Sequence, residues 1–250
     1  MICLTIQGRG DLAPTIALVP PHTLKLSIVR QALTVLLDQE STALMLSGLR
    51  TTLWLSVLSI GLSLILGTLI AVMRVSPFGP VSTFATGYVE FFRNIPLLIV
   101  LFFVLNGLPQ AGITLSFFNT GVAGLTVYTT AYVAEVVRAG LQSISKGQIE
   151  ASRSLGLTWL QTMQYVLLPY TFRIIIPPLG TLFVALVKNT SLCSAVAVPE
   201  ILYQAEVIEG RTFNPNIFLM AGLLYLVLTV PLGLAVNALE RRFSLARVAK

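Results

Sequence analysis

Four groups of polar residues in a largely apolar chain are the first candidates for chemistry. Glu90 and Arg93 stand at i, i+3, as do Glu135 and Arg138. On a helix that spacing puts both charges of a pair on one face, within ion-pairing reach. Lys188-Asn189-Thr190-Ser191 lies between LFVALV and LCSAVAV. The fourth group, Glu150-Ala151-Ser152 followed by Gly156, belongs to GQIEASRSLGLTWLQTMQYVLLP (147–169), the longest amphipathic stretch of the C-terminal half. These residue types can pair charges, receive a solute's carboxylate or offer a docking face. None forms a hydrolytic or redox constellation: there is no HExxH, no Ser–His dyad within an apolar segment and no pair of membrane aspartates. A single histidine, His22, cannot build a metal site, and Cys3 and Cys193 are far apart in unlike contexts, which argues against a disulfide or zinc site. GxxxxGK[ST] is absent, so the chain is not expected to hydrolyse ATP itself.

The elements that position these groups must lie in a bilayer. Of 250 residues, 55% are hydrophobic and only 10% charged, and mean hydropathy is +0.86; soluble domains carry about 25% charged residues. The net charge of +6 does not call for nucleic acid as a partner, because membrane proteins gather Lys and Arg in cytoplasmic loops. The expected class is an all-α membrane protein with about five transmembrane helices.

Residues 1–23, rich in Gly and Pro, read as an irregular extension, without the basic start of a cleaved signal peptide. Residues 24–40 read as an interfacial helix, with Leu26, Val29, Leu33 and Leu36 opposing Lys25, Arg30 and Asp38. Spans are expected over Thr51–Met73, Val81–Asn106, Thr120–Val137, Ile174–Val198 and Ile217–Leu239. Gly61 and Gly67, with Ser56, Ser59 and Ser63, should let the first span pack closely on its neighbours. Pro96 should kink the second span. Glu90 and Arg93 beside it form either a structural ion pair or part of a translocation path. Lys188, deep in the fourth span, should face protein or water, since a Lys at mid-bilayer costs about 2.5–3.5 kcal/mol. Residues 199–216 read as an outer loop with a short helix.

If 147–169 is cytoplasmic, the inner segments hold nine bases, Arg74, Arg138, Lys146, Arg153, Arg173, Arg241, Arg242, Arg247 and Lys250, whereas the outer loops between spans hold only Arg211. That bias puts the N-terminus outside and the C-terminus inside, although Arg9, Lys25, Arg30 and Arg50 near the N-terminus oppose it. The 147–169 segment itself reads as helix, hinge, helix, stop. Ile149, Ala151 and Leu155 make one apolar face, Gly156 a left-handed cap, Trp159, Met163 and Val166 a second stripe, and Pro169 the stop.

EAS…G followed by V-x-LP, ending at Leu168-Pro169, resembles the EAA loop of bacterial ABC importer permeases. Ser152 stands where the second alanine is usual. YVEFFRNIPLLIVLFF (88–103), AYVAEVVRAGLQSISKGQIEASRSLG (131–156) and LVKNTSLCSAVAVPEIL (186–202) are similar to stretches of the polar amino-acid branch of that family. The resemblance spans about 47–240, the expected permease domain, between an N-terminal extension (1–46) and a basic tail (241–250). It implies a type I importer permease in the bacterial inner membrane, paired with an identical or sister subunit. It further implies two ABC ATPase subunits, which use ATP and Mg²⁺ and dock through Glu150, Ala151, Ser152, Gly156, Leu168 and Pro169. An extracytoplasmic amino-acid-binding protein would complete the assembly, and no cofactor is expected on this chain. Lys188 and Asn189, with Thr190 and Ser191, are candidates for a substrate path; with no acid beside them, neutral or acidic amino acids fit better than cationic ones. The alternative is a self-sufficient secondary transporter or channel, which the lack of an internal repeat disfavours.

Overall fold

The computed structural model describes residues 38–143 and 146–248, and all regular structure among them is helical. The expected interfacial helix (24–40) falls outside the described residues except for its last three. Helix α1 (Gln39–Arg74) runs for 36 residues, about 54 Å at the α-helical rise, and so outreaches the hydrocarbon core. It begins twelve residues before the expected Thr51 because Asp38 caps it: the Ser41 amide and hydroxyl donate to Asp38 Oδ2 at 3.0 and 2.6 Å. Those bonds, the hydroxyl's foremost, hold the Asp38 carboxyl below its usual value.

Down one side of α1, Gly48, Thr52, Ser56, Ser59, Ser63, Gly67 and Ala71 are all buried. They recur every three to four residues, so they share a face. Towards its C-terminal end that face packs on α4 (Phe117–Gln142), whereas at its start Gly48 lies against Glu200 and Gln204 and Thr52 accepts from the Ile201 N–H at 3.3 Å. At Gly67 a Cβ would stand 2.5 Å from Val133 Cβ and 3.0 Å from the Thr130 carbonyl. The expectation of close packing therefore holds for Gly67 and the three serines. It fails for Gly61, which faces open space.

The expected second span is instead two helices, α2 (Gly79–Asn94) and α3 (Leu97–Gln110), bent by 107° at Ile95-Pro96. Pro96 does more than kink: it caps α3, and its fixed φ and missing N–H end the α2 hydrogen-bond ladder. Helix α4 covers the third expected span with extra turns at both ends.

The loop helices are α5 (Lys146–Ser154) and α6 (Trp159–Thr162). A π-helical turn, Met163–Leu167, joins α6 to α7 (Leu168–Asn189). Pro169 does not stop the second loop helix as expected. It sits in the first turn of α7, where a missing N–H costs nothing, and the chain runs on helically. Pro177 and Pro178 lie inside α7. A tight 3₁₀ turn (Thr190–Val196) ends at Ala197 with φ +58°. Then come α8 (Ile201–Thr212), the expected short helix, and α9 (Ile217–Val248), which continues past Leu239 into the basic tail.

Among the described residues, three helices are long and apolar enough to cross a bilayer, over Gln39–Arg74, Ile174–Val196 and Ile217–Arg241, and the bent α2–α3 pair could make a fourth. Helix α4 has the length of a span, 26 residues, but its threonines, glycines and charges make it too polar to count by composition alone.

Candidate functional site

The 147–169 segment forms a knob built on a glycine. Gly156 has φ +78°. Its N–H donates to the Arg153 carbonyl (2.9 Å), and the Leu157 N–H donates to the Ser152 carbonyl (3.2 Å). This is the Schellman pattern, which satisfies the last carbonyls of α5 and reverses the chain. Thr158 then opens α6 with a reciprocal capping box to Gln161. The left-handed cap expected at Gly156 is therefore present.

The face it presents differs from expectation. Ser152 points inward, 3% exposed; its hydroxyl donates to the Ile149 carbonyl (2.8 Å) and meets Thr162 Oγ1 at 3.2 Å. Ile149 and Ser152, rather than Ile149, Ala151 and Leu155, form the packed side. Glu150 and Ala151 are exposed, and Leu155 is a large apolar side chain that is 80% exposed. A hydroxyl in place of alanine thus ties α5 to α6. The Trp159, Met163 and Val166 stripe does turn inward. Leu168 is half-buried and Pro169 exposed.

Beside the knob lies an ion cluster that joins three helices. Glu135 on α4 accepts from Arg74 Nη1 of α1 at 2.6 Å and is paired with Arg138 one turn on and with Arg93 Nη1 of α2 at 3.4 Å. The i, i+3 pairing of Glu135 with Arg138 is as the spacing requires. The pairing of Glu90 with Arg93 is not found: Arg93 reaches Glu135 instead and lies 5.9 Å from the centroid of the Tyr132 ring. Glu90 is exposed, and its backbone carbonyl accepts from Asn94 Nδ2. Helix-surface spacing could flag two neighbours, but not a partner on another helix whose carboxylate already holds two guanidiniums.

Lys188 sits in the last α-helical turn of α7, and because the 3₁₀ turn carries the span on to Val196 it lies well inside the fourth span. It is exposed on this chain's surface, and Asn189 and Ser191 are half-buried. Thr190 is fully buried and donates to the Val187 carbonyl at 2.7 Å. No hydrogen bond or ion pair among the described residues joins this group to Glu90, Arg93 or Pro96. One buried group escaped the sequence reading: Glu200, 0% exposed, caps α8 by accepting from the Tyr203 N–H (2.8 Å) and accepts the Tyr225 hydroxyl of α9. Its place after Pro199, opening a helix, was the available signal.

Comparison with known proteins bears on this arrangement. Residues 59–245 match the family described as binding-protein-dependent transport system inner membrane component. A probable glutamine ABC transporter permease protein, GlnM of Bacillus subtilis, is 45% identical over 81% of this chain and 94% of its own length. The glutamate/aspartate import permease protein GltK of Escherichia coli is 36% identical over 79% of this chain and 92% of its own. The crystal structure of an amino acid ABC transporter with histidines superposes with a TM-score of 0.74 at 35% identity, covering 81% of this chain and 95% of that one. The inward-facing methionine transporter MetNI, at 21% identity and a TM-score of 0.71, shares the fold. The chain therefore belongs to the inner membrane components of binding-protein-dependent transport systems, with the fold of a type I ABC importer permease.

Proposed function

We propose that this chain is the membrane-spanning permease subunit of an ATP-driven importer that moves a polar amino acid, neutral or acidic, into the cytoplasm by alternating access. The observation that carries the coupling role is the knob: a short helix closed by Gly156 in a left-handed conformation, exposing Glu150, Ala151 and Leu155. Two large apolar side chains left open on this otherwise polar segment, Leu155 and Leu160, suit a docking face. In this reading an ATPase subunit closes over Glu150, Ala151 and Leu155, and Ser152 and Gly156 keep the shape. Leu168 and Pro169 pass its motion into α7. ATP-driven closure of the ATPases then rocks the spans as rigid bodies. The names of the relatives, glutamine and glutamate/aspartate permeases, support the substrate class.

The partners that follow are two ATPase subunits, which use ATP and Mg²⁺, an identical or sister permease, and an extracytoplasmic binding protein. The knob and C-terminus lie in the cytoplasm and the N-terminus outside, on the positive-inside count. Lys188 and Asn189, with Thr190 and Ser191, line the substrate path. Arg93 and Pro96, through the Glu135 cluster and the 107° bend, form its structural gate, with Glu90 at the surface.

The test is affinity purification of the full chain from its native membrane, with uptake of labelled glutamine and glutamate in the same cells. The expected result is a co-purifying ATPase and uptake abolished by Gly156→Asp. A chain that never retains an ATPase, together with normal uptake by Gly156→Asp, overturns the proposal.

A further inference from the structure

A cavity of about 640 Å³ lies between the knob and the ends of the spans, within the roughly 300–1,000 Å³ range of ligand pockets. Its polar lining is dominated by three guanidiniums: Arg74 from α1, Arg138 from α4 and Arg153 from the knob helix α5. One carboxylate, Glu135, answers Arg74 and Arg138 from the side. Thr86 Oγ1 and Gln142 Oε1 take one further donor from each, at 3.4 and 2.6 Å. Arg153 is exposed and forms no ion pair among the described residues; Glu150, one turn away, does not reach it. Apart from Thr162, the remaining walls are apolar, with Trp159 among them. The cavity thus carries donors in excess and a net positive field over an apolar floor.

We propose that this cavity binds a small anion presenting a carboxylate or phosphate group, held between Arg153 on the knob and Arg74 and Arg138 on the spans. Guanidinium forks match both groups bidentately, and such charge-assisted bonds are the strong ones. A guanidinium cannot accept a hydrogen bond or lose its proton, so the site discriminates against cations. The cavity's walls come from the knob, with Arg153 and Trp159, and from the spans, with Arg74 and Arg138. An anion spanning them therefore favours the arrangement in which they are close, by its differential affinity for it. The site itself stands on geometry; only its effect on transport rests on the coupling role proposed above.

The experiment uses the full chain in nanodiscs of phosphatidylcholine. The chain has two tryptophans, so Trp54→Phe leaves Trp159, in the cavity wall, as sole reporter. Inorganic phosphate and L-glutamate are titrated at constant ionic strength against chloride. The expected result is a saturable change in Trp159 emission at millimolar concentration with phosphate or glutamate and none with chloride, weakened at least ten-fold by Arg153→Gln. Because Arg153 is exposed, that variant keeps its thermal midpoint. Repeating the titration in discs with phosphatidylglycerol identifies the source. A silent titration means that a lipid headgroup already fills the site; an unchanged one means a soluble anion. No saturable change in phosphatidylcholine, or an Arg153→Gln titration like that of the parent, overturns the proposal. Intact anion binding with failed amino-acid uptake would count against the transport function alone.

Discussion

Replacing Glu135 with Gln keeps the shape of the side chain and removes the one countercharge that Arg74, Arg93 and Arg138 share. The three arms are not equal. Arg74 is 9% exposed and lies 2.6 Å from Glu135, which is itself 24% exposed. Arg93 is 42% exposed and 3.4 Å away. Breaking a fully buried pair costs about 3–5 kcal/mol; with a quarter of the carboxylate in solvent, about 2–3 kcal/mol is expected for Glu135→Gln after discounting for screening. Arg74→Gln should cost nearly as much, and Arg93→Gln only about 0–1 kcal/mol, as for an exposed pair. The assay is reversible unfolding of the full chain in mixed detergent micelles. The double variant Glu135→Gln/Arg74→Gln should be less destabilised than the sum of its parts. Glu135→Gln at wild-type stability, or equal costs for Arg93→Gln and Arg74→Gln, would refute the cluster as the tie between α1 and α4.

Three further outcomes follow from packing and burial. Gly67→Ala should destabilise by about 1–3 kcal/mol through overpacking, because the new Cβ meets Val133 Cβ itself. Val133→Ala keeps that atom and should not rescue it, whereas Gly61→Ala, facing open space, should change stability by less than about 0.5 kcal/mol. Tyr225→Phe leaves a Glu200 oxygen without its donor at a position that is 0% exposed, and should cost about 1–3 kcal/mol in the same unfolding assay. Lys188→Met should lower uptake by vesicles holding the partner subunits while assembly stays intact; unchanged uptake would make Lys188 structural only.

Local rules carried the sequence reading a long way. The left-handed glycine, the inward Trp159–Met163–Val166 stripe, the small face of α1 and the short helix after Glu200 all depend on a residue and its neighbours within two turns. The errors come where a distant helix decides. Arg93 abandons Glu90 for a carboxylate on α4 that spacing along α2 cannot see. Ser152 turns inward because Thr162, ten residues away, supplies a partner, so the loop's apolar pattern misplaced its outer face. Pro169 has the residue type of a helix stop, yet a proline at a helix start is tolerated, and only the π-helical turn before it shows which case applies. Pro96 marked a break but not its 107° size, which is set by what α2 and α3 each pack against.

In the proposed coupling role, the Gly156 joint transmits ATPase motion to the spans. Its most direct measurement is ATP-dependent uptake of labelled glutamine or glutamate by the complete importer reconstituted in vesicles, with Gly156→Asn and Gly156→Val permeases compared. Asn tolerates a positive φ, whereas a β-branched residue there is a genuine outlier; among the described residues nothing beyond its chain neighbours lies within 4 Å of an added Cβ, so the comparison tests the backbone conformation. The account predicts that Gly156→Asn keeps most uptake while Gly156→Val loses it. Uptake by Gly156→Val equal to wild type would contradict it.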